Sequence, residues 1–411
     1  MFNQKERKFF LFFSFLIFVG FLILNFATFP DTDVKIFYFY SQKIINQKIL
    51  PYKNFFVVYP PLSLIPILIP GFFSLEFSNY AIIFGFEMTL FLILSYFFFL
   101  KIVKKLKMDL FETSFYFILF SLLSYFFILR RFDIFIIFLI LSSIYFLLKN
   151  NIFLSSLLLC LGVFAKFYPV IILPIFFIYI LKNKNLKESF LFLASFLGIF
   201  IFLFLIFSFI FRFPIKESGG YSFLYHFQRP IHIESLYGGL LLILNKTKFK
   251  KFSLLIKNDE YGWSLYQNPL LKFISYFSTG FLLVIFGIFL LYLLKLKKIK
   301  KETFLNYIFL FFLFFVAFNK VFSPQFLIWV FPLASLCLKE KKEKLIFGFT
   351  EILTFIIYPC SYKFLLEKNL FLIFVLNLRN FLFLYLSLFF TKKLFFPNKK
   401  ITKKEIPQKS S

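Results

Sequence analysis

The chain has 411 residues, 61% of them hydrophobic, and a mean hydropathy of +0.86. That lies far above the roughly 45–50% apolar content of a soluble domain and excludes one. The net charge of +28 does not imply nucleic acid, because the lysines sit in short clusters between apolar runs, such as Lys101 to Lys107 and Lys295 to Lys301, and read as topology anchors.

Apolar runs approaching the roughly 20 residues that cross a bilayer recur along the chain, without the period-two alternation of a barrel strand. The expectation is an all-α polytopic membrane protein. Spans are predicted at Phe9 to Phe29, Tyr80 to Leu100, Phe111 to Leu129, Ile134 to Leu148, Ile152 to Ala165, Val170 to Leu181 and Phe190 to Phe211. Others follow at Phe273 to Leu294, Phe304 to Phe318, Phe326 to Leu338, Leu345 to Tyr358 and Leu370 to Phe390. That makes about twelve crossings in a single membrane domain over residues 1–395, followed by a basic tail over 396–411. The first run lacks a small-residue cleavage site and is expected to stay uncleaved. Leu62 to Phe73, broken by Pro66 and Pro70, is expected to be half-inserted. Cys160, Cys337 and Cys360 lie in apolar stretches and read as buried packing residues.

With both termini in the cytoplasm, every lysine-rich loop falls inside a cytoplasmic membrane, as the positive-inside rule requires. The opposite, extracytoplasmic side then receives all the polar clusters that interrupt the apolar pattern. Asp31 and Asp33 open a segment, Val34 to Lys48, that places Ile36, Phe37, Tyr40, Ile44 and Ile45 on one side and charges on the other, the pattern of an interfacial helix. Asp31 is open to reading as a helix cap, whereas Asp33 is followed by the patterned stretch Leu50 to Leu62 with its stiff Pro60–Pro61 turn. The long loop Arg212 to Lys272 carries His226, Arg229, His232 and Glu234. Its two histidines are not at a helix-face spacing and lack a third ligand, so no metal and no other cofactor is expected. Lys166 and Lys320 each stand between apolar segments, where a charge is costly unless it snorkels or binds something. Arg130 and Arg131 are expected to pair with Asp133. Glu87 and Glu351 are the acids well inside spans and show no evident partner.

Four blocks in order resemble one known family. The stretch DVKIFYFYSQKIINQKILPYKNFFVVYPPL (Asp33 to Leu62) resembles the Asp-x-x-x-Tyr…Gly-x-x-Pro-Tyr…Tyr-Pro-Pro-Leu signature of the polyprenol-phosphate-mannose-dependent mannosyltransferases, glycosyltransferase family 87 of the GT-C superfamily. Gly162 to Pro174 is similar to its Lys-x-Tyr-Pro segment, Tyr225 to Leu241 to its Tyr-His…Arg…Ile-Glu-Ser segment, and Lys320 to Trp329 to its Lys-x-x-Ser-Pro-Gln segment. The chain departs from the pattern at Phe37, where the family often has Tyr, and at Lys48, where it often has Gly.

The resemblance implies a GT-C-like fold with outer-face interfacial helices and loops. It implies inverting transfer of a sugar, a hexose such as mannose, from a polyprenyl-phosphate donor to a lipid-linked or other glycan acceptor on the extracytoplasmic face. Asp33 would be the general base, with Asp31 the alternative. Lys166, Arg229, His226 and Lys320 would hold the donor phosphate, and Glu234 would orient Arg229 or a sugar hydroxyl. Gln325 falls in the matched Lys-x-x-Ser-Pro-Gln segment. Tyr52, Tyr59 and Tyr168 suit a sugar face or an interfacial aromatic belt equally. The competing reading is a multi-span transporter or lipid flippase for polyprenyl-linked substrates. A non-enzymatic scaffold, or a GT-C relative using another donor, is not separated from these by fold analogy.

Overall fold

The computed structural model describes residues 3–28, 32–212, 228–246, 254–259, 262–266 and 269–396. Its helices are α1 (Gln4–Ala27), α2 (Thr32–Ile45), α3 (Leu64–Leu68), α4 (Phe77–Leu106), α5 (Leu110–Leu123), α6 (Tyr125–Arg130), α7 (Asp133–Leu148), α8 (Ile152–Ala165), α9 (Leu173–Asn183) and α10 (Leu186–Phe211). After these come α11 (Leu236–Lys246), α12 (Leu270–Lys295), α13 (Lys301–Phe318), α14 (Phe326–Cys337), α15 (Lys341–Phe355), α16 (Tyr362–Leu366) and α17 (Leu370–Phe395). Six of them, α1, α4, α10, α12, α13 and α17, are long and apolar enough to cross a membrane. The protein is therefore helical and membrane-embedded.

Side-chain pairing orders the helix ends. At the lysine-rich end, Lys104 at the close of α4 pairs with Glu6 at the start of α1 at 2.6 Å, Lys344 of α15 with Glu112 of α5 at 2.6 Å, and Lys393 of α17 with Glu340 and Glu343 at 3.1 and 2.9 Å. Helices that rise from this end begin on amide or carboxylate caps: Asn3, Asp109, Asn151 and Asn185 each accept a hydrogen bond from a backbone N–H of the first turn. At the opposite end, Arg130 is fully buried and donates to Asn25 Oδ1 and the Asn25, Thr28 and Ala81 carbonyls, at 2.7–3.2 Å, tying α6 to α1 and α4.

Three of the most buried helices are shorter than three of the long ones. The peripheral helices α10 and α12 have 26 residues each and α17 has 26, whereas the interior α7, α8 and α14 have 16, 14 and 12. At 1.5 Å per residue the first group rises about 39 Å and the second only about 24, 21 and 18 Å. All twelve residues of α14 are buried. The interior helices therefore stop short of the tips of their neighbours. Phe322, just past the end of α13, packs on Phe383 at 5.7 Å between ring centroids, and Phe383 lies 13 residues, about 20 Å, along α17 from Leu370. The polar residues at the far ends of the interior helices are thus recessed.

Several sequence expectations change. The span expected over Phe111 to Leu129 is two helices meeting at Ser124, whose hydroxyl donates to Glu351 Oε1 at 2.9 Å, so Glu351 does have a partner. Cys360 is exposed. On α2 the buried side is Val34, Phe37, Tyr40 and Ser41, while Ile36 and Phe39 are exposed, so the buried face is rotated from the one expected. Asp33 lies in the first turn of α2 rather than before it, and Asp31 lies outside the described residues. Pro61–Phe72 forms a compact run of short helices with the Tyr80 hydroxyl donating to the Ile67 carbonyl at 2.8 Å. In the long loop, an antiparallel hairpin of β1 (Leu255–Asp259) and β2 (Gly262–Tyr266) interrupts the helical pattern.

Candidate active site

Two polar clusters occupy the recessed end. The first gathers around two carboxylates. Asp33, in the first turn of α2, has its Oδ2 2.7 Å from Nε of Arg131, which sits in extended backbone between α6 and α7. Asp133 opens α7 and is completely buried. Its Oδ1 accepts from Lys166 Nζ at 2.8 Å and from Trp329 Nε1 at 2.5 Å, and its Oδ2 accepts from the same lysine at 3.0 Å. Lys166 is therefore committed to Asp133 rather than presented to a phosphate, and Asp133 is committed to Lys166 rather than to Arg130 or Arg131. Both departures have one cause: α8 ends at Ala165 and its extended cap residue turns the lysine inward, where a buried cation needs a buried anion.

Tyr59 closes this cluster from above. Its ring meets Phe132 edge-on at 4.8 Å, with the Lys166 ammonium 5.6 Å from its centroid. Burial raises the Tyr59 phenol well above its usual range, the Asp33 charge raises it further, and Arg131 works in the opposite direction. A neutral phenol thus stands within electrostatic reach of Asp33, Arg131 and Asp133. The Tyr52 hydroxyl donates to the Tyr59 carbonyl at 2.7 Å, so Tyr52 shapes the loop and does not face a substrate with its hydroxyl. Tyr168 is stacked on Trp329 at 3.8 Å and 7° and is buried. It is a wall residue.

The second cluster is built on the turn before α11. Ile231 and Ile233 join the hairpin through Leu265 N–H to Ile231 O at 3.0 Å and Ile233 N–H to Trp263 O at 3.1 Å, while the His232 N–H donates to the Lys320 carbonyl at 2.9 Å. A Cβ on Gly238 would meet the His232 carbonyl oxygen at 2.4 Å, so only glycine lets α11 start so close to this turn. Lys320 Nζ donates to Ser275 Oγ at 3.1 Å. Burial, with the nearby Arg229, brings the Lys320 ammonium down to about 8 and the His232 imidazole to about 3. His232 is therefore neutral near pH 7.

Glu234 does not meet Arg229, as expected, but Arg379 of α17. Arg379 Nη2 donates to the Glu234 carbonyl at 2.7 Å and lies 3.8 Å from its Oε2, and its guanidinium stacks 3.8 Å from the Phe322 ring centroid. Burial lifts the Glu234 carboxyl to about 7, with Arg379 and a hydrogen bond from Tyr362 opposing. Arg379 Nε and Nη1 have no hydrogen-bond partner among the described residues. Gln325 accepts a hydrogen bond from Ser323 within its own turn. His226 lies outside the described residues. Arg379, Asp133 and Arg131 belong to these clusters without having been singled out as site residues. Arg379 has a signal in hindsight, since it is an arginine inside an apolar run of 26 residues.

A row of rings connects the clusters. Tyr168 stacks on Trp329, Trp329 on Phe326 at 3.9 Å, and Phe326 faces Phe322 at 6.5 Å, beneath Arg379. Asp33 and Asp133 lie at one end of this row of rings, and Arg379 with Glu234 lies at the other. No protein-family model matches the chain, and no curated protein matches it.

Proposed function

We propose that the protein is an extracytoplasmic-face membrane glycosyltransferase of the GT-C type, taking a sugar, a hexose such as mannose, from a polyprenyl-phosphate donor. In this reading the six long helices and six shorter ones (α5 with α6, α7, α8, α9, α14 and α15) make about twelve crossings, the shorter ones enclosed by protein where thickness need not be matched. The recessed end faces away from the cytoplasm, opposite the lysine-rich loops.

The observation that carries the reading is the asymmetry of the recess. Asp33, its side chain 26% exposed, is the more open carboxylate of the first cluster, while the second cluster brings Lys320, Arg229 and Arg379 together with Glu234 and a neutral His232. Transfer needs a base that removes the acceptor hydroxyl proton as it attacks the anomeric carbon, and positive charge where the departing phosphate gains negative charge. Asp33 supplies the first, and Lys320 and Arg229 the second. Lys48 supports the family resemblance: it adopts φ +53°, the left-handed conformation open to the glycine common at that place in the family. Replacing Asp33 with Asn is expected to lower transfer from a polyprenyl-phosphate mannose donor by about 10²–10⁴-fold while leaving membrane insertion intact. Turnover near wild type in that variant removes Asp33 as base.

One observation favours the transporter reading. Glu87, buried within α4, has neither carboxylate oxygen hydrogen-bonded, and an intramembrane acid of that kind is a feature of proton-coupled carriers. Proteoliposomes that move a polyprenyl-linked sugar across the bilayer without consuming it, and lose that ability in Glu87→Gln, decide for it.

A further inference from the structure

Two carboxylates share the first cluster, and their surroundings assign them different tasks. Asp133 has both oxygens occupied by Lys166 and one of them also by Trp329, and it is sealed from solvent. A proton acceptor must reach the proton it removes, and Asp133 cannot. Asp33 is more open, at 26% side-chain exposure against 1% for Asp133.

What holds Asp33 is Arg131, 7% exposed and 2.7 Å away through Nε. Arg131 is itself fixed: its Nη1 donates to the Arg130 carbonyl at 2.9 Å, and Arg130 is anchored to α1 and α4 by the contacts described above. The turn Arg130 to Asp133 thus binds both clustered carboxylates to the frame, Asp133 through its own place in α7 and Asp33 through Arg131. We propose that Arg131 is a positioning residue of the reaction, holding the Asp33 carboxylate ionised and aimed at the acceptor hydroxyl. This rests on the transferase reading above. Among the described residues, the charged and titratable groups around Asp33 include Arg130, Arg131 and Asp133 from the α6–α7 turn, Lys166 after α8, Tyr59, and Tyr40 and Lys35 on its own helix.

The test separates charge from geometry. Arg131→Lys keeps the cation and loses the planar guanidinium. Its acid limb in kcat/KM is expected to stay in place while the plateau falls about 10- to 100-fold, with donor KM within about two-fold of wild type. Arg131→Gln removes the cation that favours ionised Asp33, so its acid limb is expected to move up by about one pH unit or more. Parallel losses at every pH with no displaced limb in Arg131→Gln, or wild-type activity in both variants, overturn the inference. A second readout does not need turnover: carbodiimide modifies protonated carboxyls, so its labelling of Asp33, followed by mass spectrometry against pH, is expected to extend to higher pH in Arg131→Gln. An unmoved labelling profile overturns the inference. A wild-type protein that consumes no polyprenyl-phosphate sugar, yet shows the displaced labelling, retires the transferase reading and leaves the Arg131–Asp33 coupling standing.

Discussion

The carboxylate cluster and the cluster around Glu234 both hold deeply buried charge but differ in how it is paired. Asp33 pairs with Arg131 and Asp133 with Lys166, with Arg130 buried beside them. Glu234 meets Arg379 while burial pushes its carboxyl toward neutrality, and His232, near Arg229, is kept uncharged. In a poorly solvated site a matched set is a finished scaffold, because each desolvation cost is met by a partner in place. In the transferase proposed above, the base would stand on the Asp33 side and the leaving phosphate on the Lys320 side.

The comparison breaks most readily at Asp133. Asp133→Asn strands Lys166 as a buried, uncompensated charge, at a cost of about 3–5 kcal/mol. Thermal unfolding in detergent is expected to show a large loss, and the double change Asp133→Asn with Lys166→Met is expected to recover most of it. A single variant as stable as wild type contradicts the finished-scaffold account.

A smaller effect is expected on the cationic side. With Lys320 holding the donor phosphate as proposed, Lys320→Met is expected to raise donor KM by about 10- to 100-fold. In the wild type the Lys320 ammonium titrates at about 8, below the usual lysine value of 10.5. It is protonated below that pH and loses its charge above it, so donor affinity should decline as pH rises through about 8. The variant should lack that decline in a binding titration.

The smallest effect belongs to Glu234. Its folded carboxyl titrates at about 7 against an ordinary 4.5, so the folded protein holds a proton that the unfolded chain has released. The resulting stability is present below about 4.5 and is lost as pH rises through about 7. Glu234→Gln should leave the unfolding midpoint unchanged at pH 4 and raise it by a few degrees at pH 8. Equal midpoints at both pH values show that this acid is not strained.

Much of the architecture was legible because apolar length and lysine placement are local properties of sequence. The starts of α1, α5, α8 and α10 coincide with Asn or Asp caps at lysine-rich loops. Pairing was not legible. That Lys166 takes Asp133, leaving Arg131 for Asp33, depends on α8 ending beside α7, a contact between residues 33 positions apart. The link from Glu234 to Arg379 spans 145 positions, and a charge in the middle of an apolar run gives no sign of its partner. The hairpin escaped notice because its strands have five residues each inside a loop rich in polar residues. The rotated face of α2 follows from its setting: against a bilayer surface, exposed Ile36 and Phe39 are as well placed as buried Phe37, so hydrophobicity alone does not say which side faces protein.

The short interior helices act as a depth gauge. With the long outer helices fixing where lipid headgroups settle, and α14 fixing the floor, the drop between them is written into backbone rise and not into any flexible loop. In the transferase proposed above, a donor headgroup reaching Lys320 would descend past the rim while its polyprenyl tail stayed among the outer helices, and the same drop would sort substrates by how far a head can sink before its tail stops it.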